Sequence, residues 1–325
     1  MLRRALVLTT ALVALFFLVR WVFVGDETTE AASGETVPVA VAGPAAPAVP
    51  DQAAPAVPPT EAAVSTPVPA APAAAPATDQ GRLAGHRAIY ELRLGQNRPG
   101  SGVAMADGKM VIEFADTCDG YTLTQRLRMR LSDGEGSATS TDFRVANWES
   151  DDGRRFRFST RHLVNDQEDE AYEGSAELNA DGSGTATYTK PEDRTETLIP
   201  GTVFPTMHTV ELLRAAEAKK PLLTKPLFDG TGDETVYSVV GAIGRSSVAD
   251  PAGLTGKGKD VLAGKPSWPV RLAFFSLAGN EELPQYEVGF RLYANGISGD
   301  IEMAYGDFSI DAVLSEIEAL PKPDC

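Results

Sequence analysis

Three histidines, one acidic stretch, two runs of arginine and two cysteines are the residues through which this 325-residue chain could do chemistry. His86, His162 and His208 stand far apart. None has an i+2 or i+4 partner with which imidazoles commonly share a metal, so surface or capping roles are expected and no metal site is assigned. Carboxylates crowd the stretch from Asp166 to Glu173. A glycoside hydrolase needs such a pair, but a solvated acidic loop is the expected reading. The chain has no G-x-S-x-G elbow, dinucleotide-binding turn, H-E-x-x-H or calcium loop. Gly258 to Lys265 imitates a phosphate loop, but Pro266 stands where Ser or Thr must hold magnesium. No catalytic residue and no cofactor is therefore expected.

Arg126, Arg128 and Arg130 share one face of an alternating run, and Arg155 and Arg157 share another. They are the candidate anion-binding residues, with anionic lipid, lipopolysaccharide or cell-wall phosphate as the class of ligand. Pairing with nearby carboxylates is the ordinary alternative. The formal net charge of −16 disfavours non-specific nucleic-acid binding. Cys118 and Cys325 are the only cysteines, and in an exported chain a disulfide is expected over two free thiols or a metal pair.

The elements that position these residues begin after a long leader. Met1-Leu2-Arg3-Arg4 and the apolar run that follows form the charged and apolar parts of an export signal, so residues 1–25 are a signal peptide or an N-terminal membrane anchor. With Trp21 to Val24, residues 5–24 approach the length that crosses a bilayer, and inner-membrane attachment through them is one expectation. Arg20 within the run disfavours it, while the poor cleavage site near Ala31 disfavours release. Residues 26–80 hold 11 Pro and 18 Ala among 55 positions and no aromatic residue, which reads as a disordered Ala/Pro-rich linker.

Residues 81–325 are long enough for one large domain, and alternation with period two dominates them. Tyr121, Leu123, Leu127, Met129 and Leu131 fall on one face, with Thr122, Thr124 and the three arginines on the other. Similar runs centre on Tyr90, Ile112, Phe158, Leu272, Val288 and Met303. Asp107-Gly108, Asp133-Gly134, Asp152-Gly153, Asp181-Gly182 and Asn295-Gly296 are turn signals between them. One helix is expected from Thr206 to about Ala218, with Thr206 as its N-cap. Phe308, Ile310, Ala312 and Leu314 alternate and are read as a strand, although Ile310, Val313, Leu314 and Ile317 also fit a helix. Gly244 to Pro269 has no period and is expected to be a long functional or mobile loop. The fold class is all-β, a barrel or curled open antiparallel sheet.

Several blocks resemble the periplasmic cell-envelope integrity family EipB. They are His86-Arg87-Ala88-Ile89-Tyr90, Cys118-Asp119-Gly120-Tyr121-Thr122, Trp148-Glu149, Phe156-Arg157-Phe158, Phe204-Pro205-Thr206-Met207-His208, Phe228-Asp229-Gly230, Trp268-Pro269-Val270 and Tyr305-Gly306-Asp307-Phe308. The resemblance implies a spiral, broken β-barrel similar to periplasmic lipoprotein carriers, a Cys118–Cys325 disulfide, and no catalytic residue. It also implies a periplasmic location and a tetratricopeptide-repeat protein partner. The expected function is non-enzymatic support of the envelope by binding a partner or a hydrophobic ligand. A lipid or lipoprotein carrier and a cell-wall or polysaccharide hydrolase are the alternatives.

Overall fold

Alternating apolar residues bury one face of each strand, and hairpin turns add the strands one at a time. The computed structural model describes residues 83–232, 236–248, 250–251, 253–254, 257–277 and 282–325. The signal or anchor segment, its cleavage site and the Ala/Pro-rich linker lie outside the described residues. No helix among those described is long and apolar enough to cross a membrane.

The strands are β1 (His86–Asn97), β2 (Met105–Asp116), β3 (Gly120–Ser132), β4 (Ala138–Ser150), β5 (Arg155–Val164), β6 (Gln167–Leu178), β7 (Gly184–Lys190) and β8 (Arg194–Leu198). After helix α1 (Pro205–Glu217) come β9 (Leu222–Leu227), β10 (Tyr237–Ile243), β11 (Ser247–Val248), the short helix α2 (Lys259–Leu262), β12 (Pro266–Ser276), β13 (Tyr286–Tyr293), β14 (Ser298–Ala304) and β15 (Phe308–Ala319). They form one open antiparallel sheet in the order 8-7-6-5-4-3-2-1-15-14-13-12-10-9, with β11 beside β12. Its free edges are therefore β8 and β9, which α1 joins in sequence. Val203 links the two ends: its N–H donates to the Pro226 carbonyl at 3.0 Å, and its own carbonyl accepts from Phe228 at 3.1 Å.

The inner face carries two clusters. The larger spans β1–β4 and β9–β15 and includes Leu127, Phe143, Phe274 and Leu292. The smaller joins Phe156, Phe158 and Tyr188 to Phe204 and Phe228, which flank α1 and β9. Gly230 follows this aromatic group at φ 78°, where a Cβ would overlap the Phe158 ring.

The structure corrects four expectations. Asp107-Gly108 is not a turn but lies within β2, because a Cβ at Gly108 would overlap the Arg128 backbone and only glycine permits that approach. The acidic residues after Asp166 are not a loop: Asp166 is in the turn and Gln167 to Glu173 begin β6. The described residues after Gly244 are not all loop. They contain β11 and α2, bury Leu254 and Leu262, and reach β15 through a hydrogen bond from the Ile317 N–H to the Lys257 carbonyl. Two apolar anchors suffice to dock them, so no period shows. The histidines are not on the surface, since His86, His162 and His208 are all buried. The last strand is an inner one: β15 lies between β1 and β14.

The mixed periodicity of β15 has a local cause. Leu314 pairs with Tyr90 and Ile317 with Ala88, with a register shift between Ile89 and Tyr90. The bulge puts one extra residue in β15, so inward positions pass from even to odd numbers and mimic helical spacing.

Candidate functional site

A group of buried polar side chains lies beneath α1. Strands β3 and β4 deliver it through their inward positions: Leu123 pairs with Asn147 and Tyr121 with Glu149. Beneath α1 is a cavity of about 110 Å³, walled by apolar side chains including Ile112, Phe114, Phe156, Leu212, Leu272 and Phe290. Into this wall are set Asn147, Glu149, His86 and His208.

Glu149 performs the task that the sequence assigned to Thr206. The helix starts at Pro205, and Phe204 at the cap position has no side-chain acceptor. The Thr206 N–H donates to Glu149 Oε2 at 2.7 Å and the Met207 N–H to Oε1 at 2.8 Å. These are the second and third helical N–H groups, the ones an N-cap side chain would satisfy. A carboxylate at this end is also favoured by the helix dipole. Pro205 at the first helical position was the readable signal of the start. That the cap comes from 57 residues upstream was not readable.

Burial raises the Glu149 carboxyl to about 7, and the two backbone N–H bonds oppose that rise without cancelling it. Between the ordinary value of 4.5 and about 7 the folded protein holds a proton that the unfolded chain releases. Stability from this group is therefore greatest below pH 4.5 and declines as pH rises to 7, by about 3 kcal/mol at most. Glu149→Gln is expected to flatten that slope, as urea unfolding at pH 5 and pH 8 would measure. An unchanged slope would assign the pH dependence to other groups.

Burial, with a smaller contribution from the Lys225 charge, lowers His208 to about 4, so its ring is neutral at ordinary pH. Its Nε2 has no hydrogen-bond partner among the described residues, and neither polar atom of the Asn147 amide has one. Both side chains are more than nine-tenths buried. Unpaired polar atoms in such a place cost about 1–3 kcal/mol each unless a ligand or water meets them. The cavity has room for a few waters or for part of a small molecule. Gln125, which the alternating run passes over, is likewise inward and 1% exposed with its amide unpaired among the described residues.

The site has little with which to catalyse. Glu149 is the only carboxylate among the described residues that line the cavity, so the paired acid and base of a glycoside hydrolase are missing there. Thr209 donates its hydroxyl to the Pro205 carbonyl at 3.1 Å, not to a histidine base. No group of three His, Cys, Asp or Glu side chains able to hold a metal occurs among the described residues.

The other singled-out residues lie elsewhere. Cys118, in the turn between β2 and β3, is bonded to Cys325, with Cα atoms 5.8 Å apart. Arg126, Arg128 and Arg130 face outward while Leu127 and Met129 are buried. Asp142 accepts two bonds from Arg126, at 3.0 and 2.6 Å, and two from Arg144, at 3.1 and 2.9 Å. Arg128 reaches Asp142 at 3.6 Å and Asp166 at 3.4 Å. Burial acts to raise the Asp142 carboxyl, but the two guanidinium forks outweigh it and hold the group well below the usual range. Asp142→Asn is expected to destabilise by about 1–3 kcal/mol at pH 7, less than for a fully buried pair because the arginines are half exposed. Since the carboxyl is depressed, the difference from wild type should shrink only as pH falls below about 4. Paired thermal melts at pH 7 and pH 3 check the sign, and a difference that grows in acid would contradict it.

Comparison with known proteins follows the same outline. Residues 77–321 match a family model described as EipB-like. The chain is 35% identical over 251 residues, 75% of its own length and 87% of the relative, to the cell envelope integrity protein EipB of Brucella abortus (strain 2308). It is also similar to the crystal structure of a β-barrel-like protein of a domain of unknown function from Brucella abortus. There the TM-score is 0.67 and the identity 32%, covering 74% of this chain and 99% of that one.

Proposed function

The chain belongs to the EipB-like family, and from that premise we propose that it is a non-enzymatic periplasmic protein supporting envelope integrity, with the cavity beneath α1 as its ligand site. The ligand is a hydrophobic molecule with one uncharged polar group. Asn147 and His208, buried and unpaired inside an otherwise apolar wall, carry this reading. A neutral alcohol or amide, which can both donate and accept, suits these side chains, whereas an anionic head would meet the Glu149 carboxyl.

Size limits what enters. About 110 Å³ is less than the roughly 150 Å³ of an engineered apolar cavity that holds benzene, so a whole acyl chain does not fit while α1 is in place. Carriage of a lipid would require α1 to leave the sheet, breaking the Glu149 cap and the Glu211–Lys225 ion pair at 2.8 Å. The test is mass spectrometry of an organic extract of the purified protein, repeated for Asn147→Leu. A small apolar molecule that is released from wild type and absent from the variant is the expected result. Extracts empty in both proteins would refute the ligand reading, and long-chain lipid in both would favour the carrier.

A further inference from the structure

We propose that the outward face of β3 to β7 binds an anionic polysaccharide. Arg126, Arg144 and Arg161 stand directly opposite one another on β3, β4 and β5. Adjacent strands are about 4.8 Å apart, and like charges so placed destabilise a sheet. Asp142 relieves Arg126 and Arg144. Arg161 has no carboxylate within 4.0 Å among the described residues, and neither have Arg130, Arg155 and Arg157. This surplus of cations, in a chain whose net charge is −16, has no carboxylate partner within 4.0 Å among the described residues.

Two of these guanidiniums are held in position. Arg155 and Arg157 lie 5.5 and 5.4 Å from the centroid of the Trp148 ring. Stacking on an aromatic ring fixes the planar fork without using its N–H groups, which remain available to an oxyanion. Along β5, Arg157 and Arg161 are four residues apart, about 13 Å, so the cations suit an extended anion better than a single ion.

Between the two arginine rows the surface supplies hydroxyls. A shallow groove of about 530 Å³ is lined by Thr124, Ser159, Ser175 and Thr187, beside Trp148 and Arg157; its one carboxylate among the described residues, Glu173, is paired with Lys190 at 3.1 Å. The register sets Trp148, Arg157, Ser175 and Thr187 in one line across four strands. Those four hydroxyls make no hydrogen bond to any described residue. Each can donate and accept, which matches a chain of sugar hydroxyls; the guanidiniums match its carboxylates or phosphates. None of the large exposed apolar side chains lies on this face, so it lacks the anchors with which a surface inserts into lipid.

The test measures binding of the full chain to polygalacturonate, neutral dextran and poly-glutamate at low salt. Polygalacturonate should bind more tightly than poly-glutamate, and dextran should not bind. Arg157→Gln with Arg161→Gln should weaken polygalacturonate at least tenfold, as expected for the loss of charge-assisted bonds. Both side chains are exposed and unpaired with carboxylates, and an unchanged melting curve would show that the variant folds. Ser175→Ala with Thr187→Val should weaken polygalacturonate several-fold and leave poly-glutamate unaffected. Equal binding of poly-glutamate would overturn the proposal in favour of a generic acidic partner. It would also fail if the arginine variant lost retention on phosphatidylglycerol vesicles while binding polygalacturonate as wild type does.

Discussion

Phe228→Ala is expected to lower stability by about 3–5 kcal/mol, the usual cost of emptying a well-packed aromatic site. Phe228 is fully buried, with its ring centroid 6.2 Å from Phe156, 5.7 Å from Phe158, 6.4 Å from Tyr188 and 6.1 Å from Phe204. Its position gives the loss a direction. Phe228 follows β9 at one free end of the sheet, whereas Phe158 and Tyr188 belong to strands near the other. Together with the Val203 bridge, this ring fastens the two ends. Hydrogen exchange should therefore accelerate at β8 and β9 before the rest of the sheet. Phe274→Ala is the control. Phe274 is equally buried and stacks on Tyr286 at 4.2 Å, but it lies in an inner strand. A similar loss without local opening of β8 is expected there. If both variants exchange alike, the fastening role assigned to Phe228 is wrong.

Cys118→Ser is expected to cost about 2–5 kcal/mol, mainly by releasing the unfolded chain from a cross-link. The bonded cysteines are 207 residues apart, a separation for which the chain-entropy relation gives roughly 5 kcal/mol as an upper value. The folded state has little need of the bond to hold its last strand. β15 is paired on both sides, and Leu320 donates its N–H to the Gly85 carbonyl at 2.9 Å. Limited proteolysis of the variant should thus trim only residues after Leu320, leaving β15 intact until global unfolding. Urea midpoints of oxidised wild type and Cys118→Ser decide the energetic part, and equal midpoints would refute it. Early cleavage within β15 would instead restore a local role for the bond.

Legibility of the sequence depended on how dry each inner face is. Tyr121 to Leu131 declare β3 because nearly every inward position is apolar. Neighbouring β4 is hidden, since Thr141, Asn147 and Glu149 occupy inward, buried positions beside Phe143 and Val145. Two of those exceptions, Asn147 and Glu149, are cavity residues, so the features that make a site erase the periodicity that would reveal its strand. β7 and β8 were obscured by threonines on the outer face and by few apolar residues inside, Ala186, Tyr188 and Leu198. The histidines were misplaced for a related reason: composition says nothing about burial, and His208 lies on the sheet-facing side of a helix whose partner strands are distant in sequence.

The adjacency of β1 and β15 fixes an order of assembly. From β1 to β8 every strand pairs with its sequence neighbour, as do the strands from β12 to β15, so two ribbons can form from short-range contacts. They join along one seam, and that seam requires residues as far as Ala319. A chain delivered N-terminus first therefore completes the first ribbon and all of the second but β15 while β1 still presents a bare row of backbone donors and acceptors to any strand it meets. Synthesis interrupted before Phe308 would yield not a shorter version of the same sheet but two ribbons held together only at the Val203 and Phe228 end, with β1 and β14 as extra edges.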